Sequence, residues 1–131
     1  MVTLPTEMQW QRAAQGDDGR KYPWGNEFDK TRCNTYESGI GRTTAVDHYP
    51  KGKSPFGVFD MAGNVWEWCL NEHPNPHRVD LGGWAQRVLR GGSWFLNSYY
   101  ARATYRDYYD PIFRPNFGFR VVSECALPSN R

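Results

Sequence analysis

The chain has 131 residues and a mass of 15.2 kDa, of which 39% are hydrophobic, enough for one domain with its own core and too few for two. Its 16 basic and 14 acidic residues leave a net charge of +2 and are spread along the whole length; without a Lys/Arg run to track a phosphate backbone, nucleic acid is not an expected partner. No stretch reaches the roughly 20 apolar residues of a bilayer span, and Met1-Val2-Thr3-Leu4-Pro5 lacks the basic and apolar regions of a signal peptide, so the sequence reads as soluble and not inserted in a membrane.

Aromatic residues make up 16% of the chain and glycines number 13, a composition of many turns held by large rings that each bury up to ~200 Å². In chain order, Thr6 followed by Gln9 fits a capping box, and Met8, Trp10 and Ala14 give a partly apolar face, so a helix is predicted from about Thr6 to Gln15. Gly16-Asp17-Asp18-Gly19 ends it, and up to about Ser54 only Pro, Gly and Asn punctuation surrounds Trp24, Phe28 and Tyr36; the rings favour an ordered loop. Val65 to Leu70 reads as a short core strand carrying two tryptophans, and Asn71 to Gly83 as loop, because Pro74 and Pro76 exclude regular structure. Arg87 to Trp94 reads as a strand broken by Gly91-Gly92, and Gly118 to Val122 as a closing strand. The class is α+β. Cys33, Cys69 and Cys125 are widely spaced and odd in number, which favours buried free thiols, with one disulfide and a leftover thiol as the alternative.

Five blocks stand in order: Leu4-Pro5-Thr6-Glu7 with Trp10 and Ala13-Ala14; Tyr22-Pro23-Trp24-Gly25; Gly57 through Trp68; Arg90-Gly91-Gly92-Ser93-Trp94; and Gly118-Phe119-Arg120. Together they resemble the formylglycine-generating-enzyme (sulfatase-modifying factor) family over essentially residues 3 to 122. The resemblance implies a single C-type-lectin-like domain over 1–131, irregular, with short strands, one or two helices and long loops. It begins partway into the usual family domain, as in a minimal version or a piece of a longer chain.

Family members that make formylglycine use two cysteines just after the Gly-Gly-Ser-aromatic block, and here Phe95 to Arg106 contains none. A thiolate mechanism cannot run without the sulfur, so that activity is not carried over. His48 stands alone, and although His73 and His77 are four residues apart, Pro74 and Pro76 forbid the helix that would put them on one face; all three are expected to be solvated. A calcium site is implied instead: the matching family positions bind through the side chains of Asp60 and Glu67 and the main-chain oxygens of Gly63 and Val65, hard oxygen donors of the kind calcium prefers. The competing expectation is that Asp60 caps a turn and Glu67 pairs with an arginine.

Residues 95 to 117 hold eight Tyr or Phe in 23 positions, mixed with Asp, Asn and Ser, the composition of a paratope. Met, Trp, Gln, Lys and Glu are absent from this stretch although 22 of them stand among residues 1–94, an outcome expected by chance about once in 400 trials. Codons ending in C cannot encode those five. The chain is thus similar to the variable proteins of diversity-generating retroelements, a branch with the same fold in which adenine-directed mutagenesis rewrites this stretch. The resemblance implies a ligand-binding surface at Phe95, Leu96, Asn97, Tyr99, Tyr100, Tyr105, Asp107, Tyr108, Tyr109, Asp110, Ile112, Phe113, Asn116 and Phe117. Arg90 to Trp94, Arg102, Arg106, Arg114 and Gly118 to Arg120 would be scaffold. A protein ligand is expected, because a broad aromatic patch suits a partner's face. The alternative is an enzyme or enzyme fragment of the same family, oxidase-like or sulfoxide-synthase-like; carbohydrate binding through calcium and ring stacking ranks third.

Overall fold

The computed structural model describes residues 1–112 and 114–124; Phe113 and Cys125 lie outside them. The chain opens with β1 (Val2–Thr3) and helix α1 (Glu7–Gln15). Thr6 caps α1 as expected: its hydroxyl accepts the Gln9 N–H, and the Gln9 side chain accepts the Thr6 N–H. A long ordered passage with two short 3-10 turns, Tyr36–Ser38 and Pro50–Gly52, leads to β2 (Trp66–Glu72). Then come β3 (Arg87–Arg90), a 3-10 turn at Ser98–Ala101, β4 (Arg106–Tyr109), β5 (Phe117–Gly118) and β6 (Val122–Ser123).

Four strands form one sheet in the order β4-β3-β2-β5, with β5 parallel to β2 and the other pairs antiparallel. β1 and β6 pair separately. Two expected boundaries are corrected. β2 runs on through Asn71 and Glu72, because the Glu72 and His73 N–H groups reach the Arg78 and Gln86 carbonyls before the prolines take effect. The closing strand is two pieces in different sheets, since β5 joins β2 and the chain must leave that sheet before β6 meets β1. The break at the glycine pair holds: Gly91 and Gly92 sit at φ of 99° and 73°, and a Cβ on Gly92 would stand 3.0 Å from the Tyr100 carbonyl oxygen.

The inner face of the sheet packs on α1. Trp10, Ala14, Met61, Cys69, Val88 and Ala103 form one buried cluster, beside a second of Tyr22, Cys33, Ala62 and Ala101. The ordered loop is therefore core in part. Arg90 is buried with them, its side chain 2% exposed. Glu7 accepts from Arg90 Nη1 at 3.1 Å and from Arg106 Nε at 2.7 Å, while Arg90 Nη2 donates to Gln11 and to the Ala103 carbonyl. One carboxylate thus ties α1 to β3 and β4. Cys33 and Cys69 are buried free thiols, as expected.

Candidate binding surface

Trp66, Trp68 and Leu89 occupy the other face of the sheet, where Trp68 and Leu89 are cross-strand partners and Leu89 pairs in turn with Asp107. Rings from the 95–117 segment cover this face: Tyr105 lies 6.1 Å from Trp66, Phe117 meets Trp68 edge-on at 5.4 Å, and Tyr109 meets Phe117 at 5.6 Å. Tyr99, Tyr100 and Tyr105 form a mutual edge-to-face trio with centroids 5.0 to 5.5 Å apart, within the range in which such pairs attract.

The segment sorts its residues by direction. Ala101 and Ala103 point inward and are 0% exposed, whereas Phe95 is 63%, Tyr99 53% and Tyr108 44% exposed. None of the thirteen described candidate positions is buried: Phe95, Asn97, Tyr99, Tyr108, Tyr109, Asp110 and Ile112 are exposed, and Leu96, Tyr100, Tyr105, Asp107, Asn116 and Phe117 are partly so. Tyr108 and Tyr109 are both exposed although consecutive side chains of a strand turn to opposite faces, and β4 is an edge strand of the sheet.

Main-chain bonds hold the segment in place. Ala103 donates its N–H to the Lys21 carbonyl at 2.8 Å, and the Leu96 and Asn116 carbonyls accept from Tyr36 and Trp66 at 2.9 and 2.8 Å. The Ser98 N–H donates to Glu37 Oε2 at 2.9 Å. Arg102 stacks over Tyr99 at 3.9 Å, and Arg114 lies 5.1 Å from the Tyr109 ring while donating to its hydroxyl. Between sheet and segment is a hollow of about 220 Å³ lined by Trp66, Leu89, Asp107, Tyr108, Tyr109, Arg114, Asn116 and Phe117. That is smaller than a small-molecule site, which runs to roughly 300–1,000 Å³.

Four contributors escaped the sequence. His73, expected to be solvated, is half-buried and stacks on Tyr108 with centroids 3.5 Å apart and planes 11° apart; the extension of β2 carries it there, and its spacing from His77 holds no trace of this. Trp66 and Leu89 form the floor of the hollow, which the alternation of a core strand hints at but cannot assign to a face. Arg114, read as scaffold, lines the same hollow.

The 57–67 stretch meets the Gly91-Gly92 turn through the Gly63 N–H, which donates to the Gly91 carbonyl at 2.7 Å. Asp60 and Asn64 take φ of 62° and 66°, a left-handed conformation that Asp and Asn tolerate better than most residues. Asn64 donates to Asp60 Oδ2 at 2.7 Å. Glu67 pairs with an arginine, as the competing expectation had it: Arg120 Nε and Nη2 donate to its two oxygens at 2.6 and 2.8 Å, and the Trp10 indole N–H donates to Oε2 at 2.7 Å. Burial pushes the Asp60 carboxyl up to about 7, with nearby Glu67 adding to the rise and the Asn64 amide opposing it. No group of three or more His, Cys, Asp or Glu lies together among the described residues, so a cation here would depend on main-chain oxygens. The residues fit that demand. The Gly63 and Val65 carbonyls take no hydrogen bond among the described loop contacts, and Glu67 Oε1 accepts only Arg120 there, which leaves it a lone pair.

Among the described residues no helix is long and apolar enough to cross a membrane. The sulfatase-modifying factor enzyme 1-like domain family matches residues 2–125. The inactive C-alpha-formylglycine-generating enzyme 2 of Mus musculus is 34% identical over 95% of this chain and 44% of its own length. The formylglycine-generating enzyme of Streptomyces coelicolor is 37% identical over 96% of this chain and 48% of its own. Among solved structures, Treponema denticola variable protein 1 superposes with a TM-score of 0.78 at 30% identity, covering 92% of this chain and 46% of that one. The chain spans about half the length of these three relatives. With the glycine turn, the irregular sheet and the outward aromatic segment all in place, this chain belongs to the sulfatase-modifying factor (formylglycine-generating-enzyme) family and has its C-type-lectin-like fold.

Proposed function

We propose that this chain is the ligand-binding domain of a variable protein from a diversity-generating retroelement, presenting residues 95–117 to a protein ligand. One observation carries the reading: the segment turns Ala101 and Ala103 inward and leaves every described candidate side chain at least partly in solvent. The likeness to a Treponema denticola variable protein supports it. So does the size of the hollow under Tyr108 and Tyr109, which fits an anchoring side chain better than a substrate. A domain of this kind binds without turnover. The test is the DNA beside the gene. A near-copy of the 95–117 coding sequence next to a reverse transcriptase, differing where the copy has adenine, is the expected finding, and its absence returns the chain to the enzyme reading.

We also propose that Asp60 and Glu67, with the main-chain oxygens of Gly63 and Val65, hold a structural calcium ion. Removing calcium with EGTA is expected to lower Tm by several degrees, reversibly on re-addition. A Tm indifferent to chelator across a calcium titration removes the proposal.

A further inference from the structure

At the N-terminal end of the display segment a groove of about 740 Å³ opens between the 36–41 turn and Trp94-Phe95. Tyr36, Trp94 and Phe95 wall it, and Gly39 and Gly41 leave one side without side chains. The Trp94 and Phe95 rings stand edge to face, 5.8 Å apart at 79°. Tyr36 is 71% exposed and is anchored through its main-chain N–H on the Leu96 carbonyl. Three rings line one hollow, and the π face of such a ring attracts an ammonium group.

Two charged residues also line the hollow, Glu37 and Lys30. Glu37 is fixed, since its Oε2 accepts the Ser98 N–H. Burial alone would raise its carboxyl, yet the Ser98 N–H holds it below the usual glutamate value, so it is ionised at neutral pH. Lys30 is exposed at the rim, where its flexible stem lets the ammonium turn out into water. The groove therefore combines aromatic walls with a fixed negative charge.

We propose that this groove accepts the ammonium of a lysine side chain presented by a bound protein, lying against Tyr36, Trp94 and Phe95 with Glu37 as counter-charge. Only the source of the lysine rests on the reading of the chain as a binding domain. Of the groove's residues, Phe95 alone is a candidate variable position, so the site would be an anchor common to different ligands, beside a surface that distinguishes them.

The test titrates the whole chain, followed by NMR, with Nα-acetyl-lysine N-methylamide and its neutral isostere Nα-acetyl-norleucine N-methylamide. The lysine derivative is expected to bind about fivefold more tightly. Glu37→Gln, which keeps an acceptor for Ser98, should abolish that preference. Tyr36→Ala should weaken lysine binding at a position whose side chain supports little of the fold, and Lys30→Ala should strengthen it by removing a like charge. Equal binding of the two probes, no binding of either, or a preference that survives Glu37→Gln overturns the proposal. Choline serves as a third probe: if it binds while the lysine derivative does not, the site belongs to a free quaternary cation and the lysine assignment fails. None of these failures touches the binding-domain reading, which stands or falls on the template repeat.

Discussion

Arg90 carries its charge into the centre of the protein, where burial pulls its pKa below the usual arginine value even with Glu7 beside it. Truncation would leave Glu7 with Arg106 alone, so Arg90→Ala is expected to cost about 3–5 kcal/mol in urea denaturation. Burial also pushes the Cys33 and Cys69 thiols up to about 12. Below pH 9 folded and unfolded states both keep these protons and stability is unaffected. Between pH 9 and 12 the unfolded chain loses protons that the folded one retains, so stability falls as pH rises. At pH 8 neither thiol should be alkylated by iodoacetamide until the chain is unfolded, as peptide mapping would show; rapid native labelling at either would contradict the burial. The pairing of Glu67 with an arginine is the competing expectation at that position, and it satisfies a buried carboxylate. The Glu7 hub was not, since its arginines lie 83 and 99 residues away and no local pattern links them.

Elements were legible where local chemistry decides them. The capping box of α1 is written in four residues, and Thr6→Ala is expected to cost about 1 kcal/mol. The break after β3 follows from two glycines. By contrast, β5 and β6 are two residues each and exist only through distant partners, so a continuous run from Gly118 to Val122 could not reveal the change of sheet. The display segment also divides in a way its composition conceals. Phe117 packs on Trp68 and Tyr109, and Phe117→Ala should cost about 2–3 kcal/mol. Exposed Tyr99 should cost under about 1 kcal/mol when cut to Ala. Equal losses at the two positions would mean that the aromatic layer does not separate support from display.

For the molecule as a whole, hydrophobic periodicity identified little, because most of the backbone runs in turns and its core is drawn from loops as much as from the sheet. Ordered sequence blocks, each fixing a turn or a charge pair, made the fold readable. That rings of the 95–117 segment turn outward was readable too, but the sheet floor beneath them and the groove beside them were not, since Tyr36 and Trp94 come to line one groove only in three dimensions. A variant with Tyr99, Tyr108 and Tyr109 all changed to Ser is expected to keep Tm within about 5 °C and to protect the amides of Tyr36, Trp66 and Ala103 from hydrogen exchange as the parent does.

The carbonyls of Leu96 and Asn116 and the amides of Ser98 and Ala103 hold the display segment to its neighbours. These atoms are common to nearly every amino acid, so the fastening is indifferent to which side chains stand above it. If the segment diversifies as proposed, change at positions such as Tyr99 and Tyr108 explores new partners without first renegotiating the fold. Selection for recognition and selection for stability then fall on different atoms of the same residue, and a lineage can improve one while the other stays as it was.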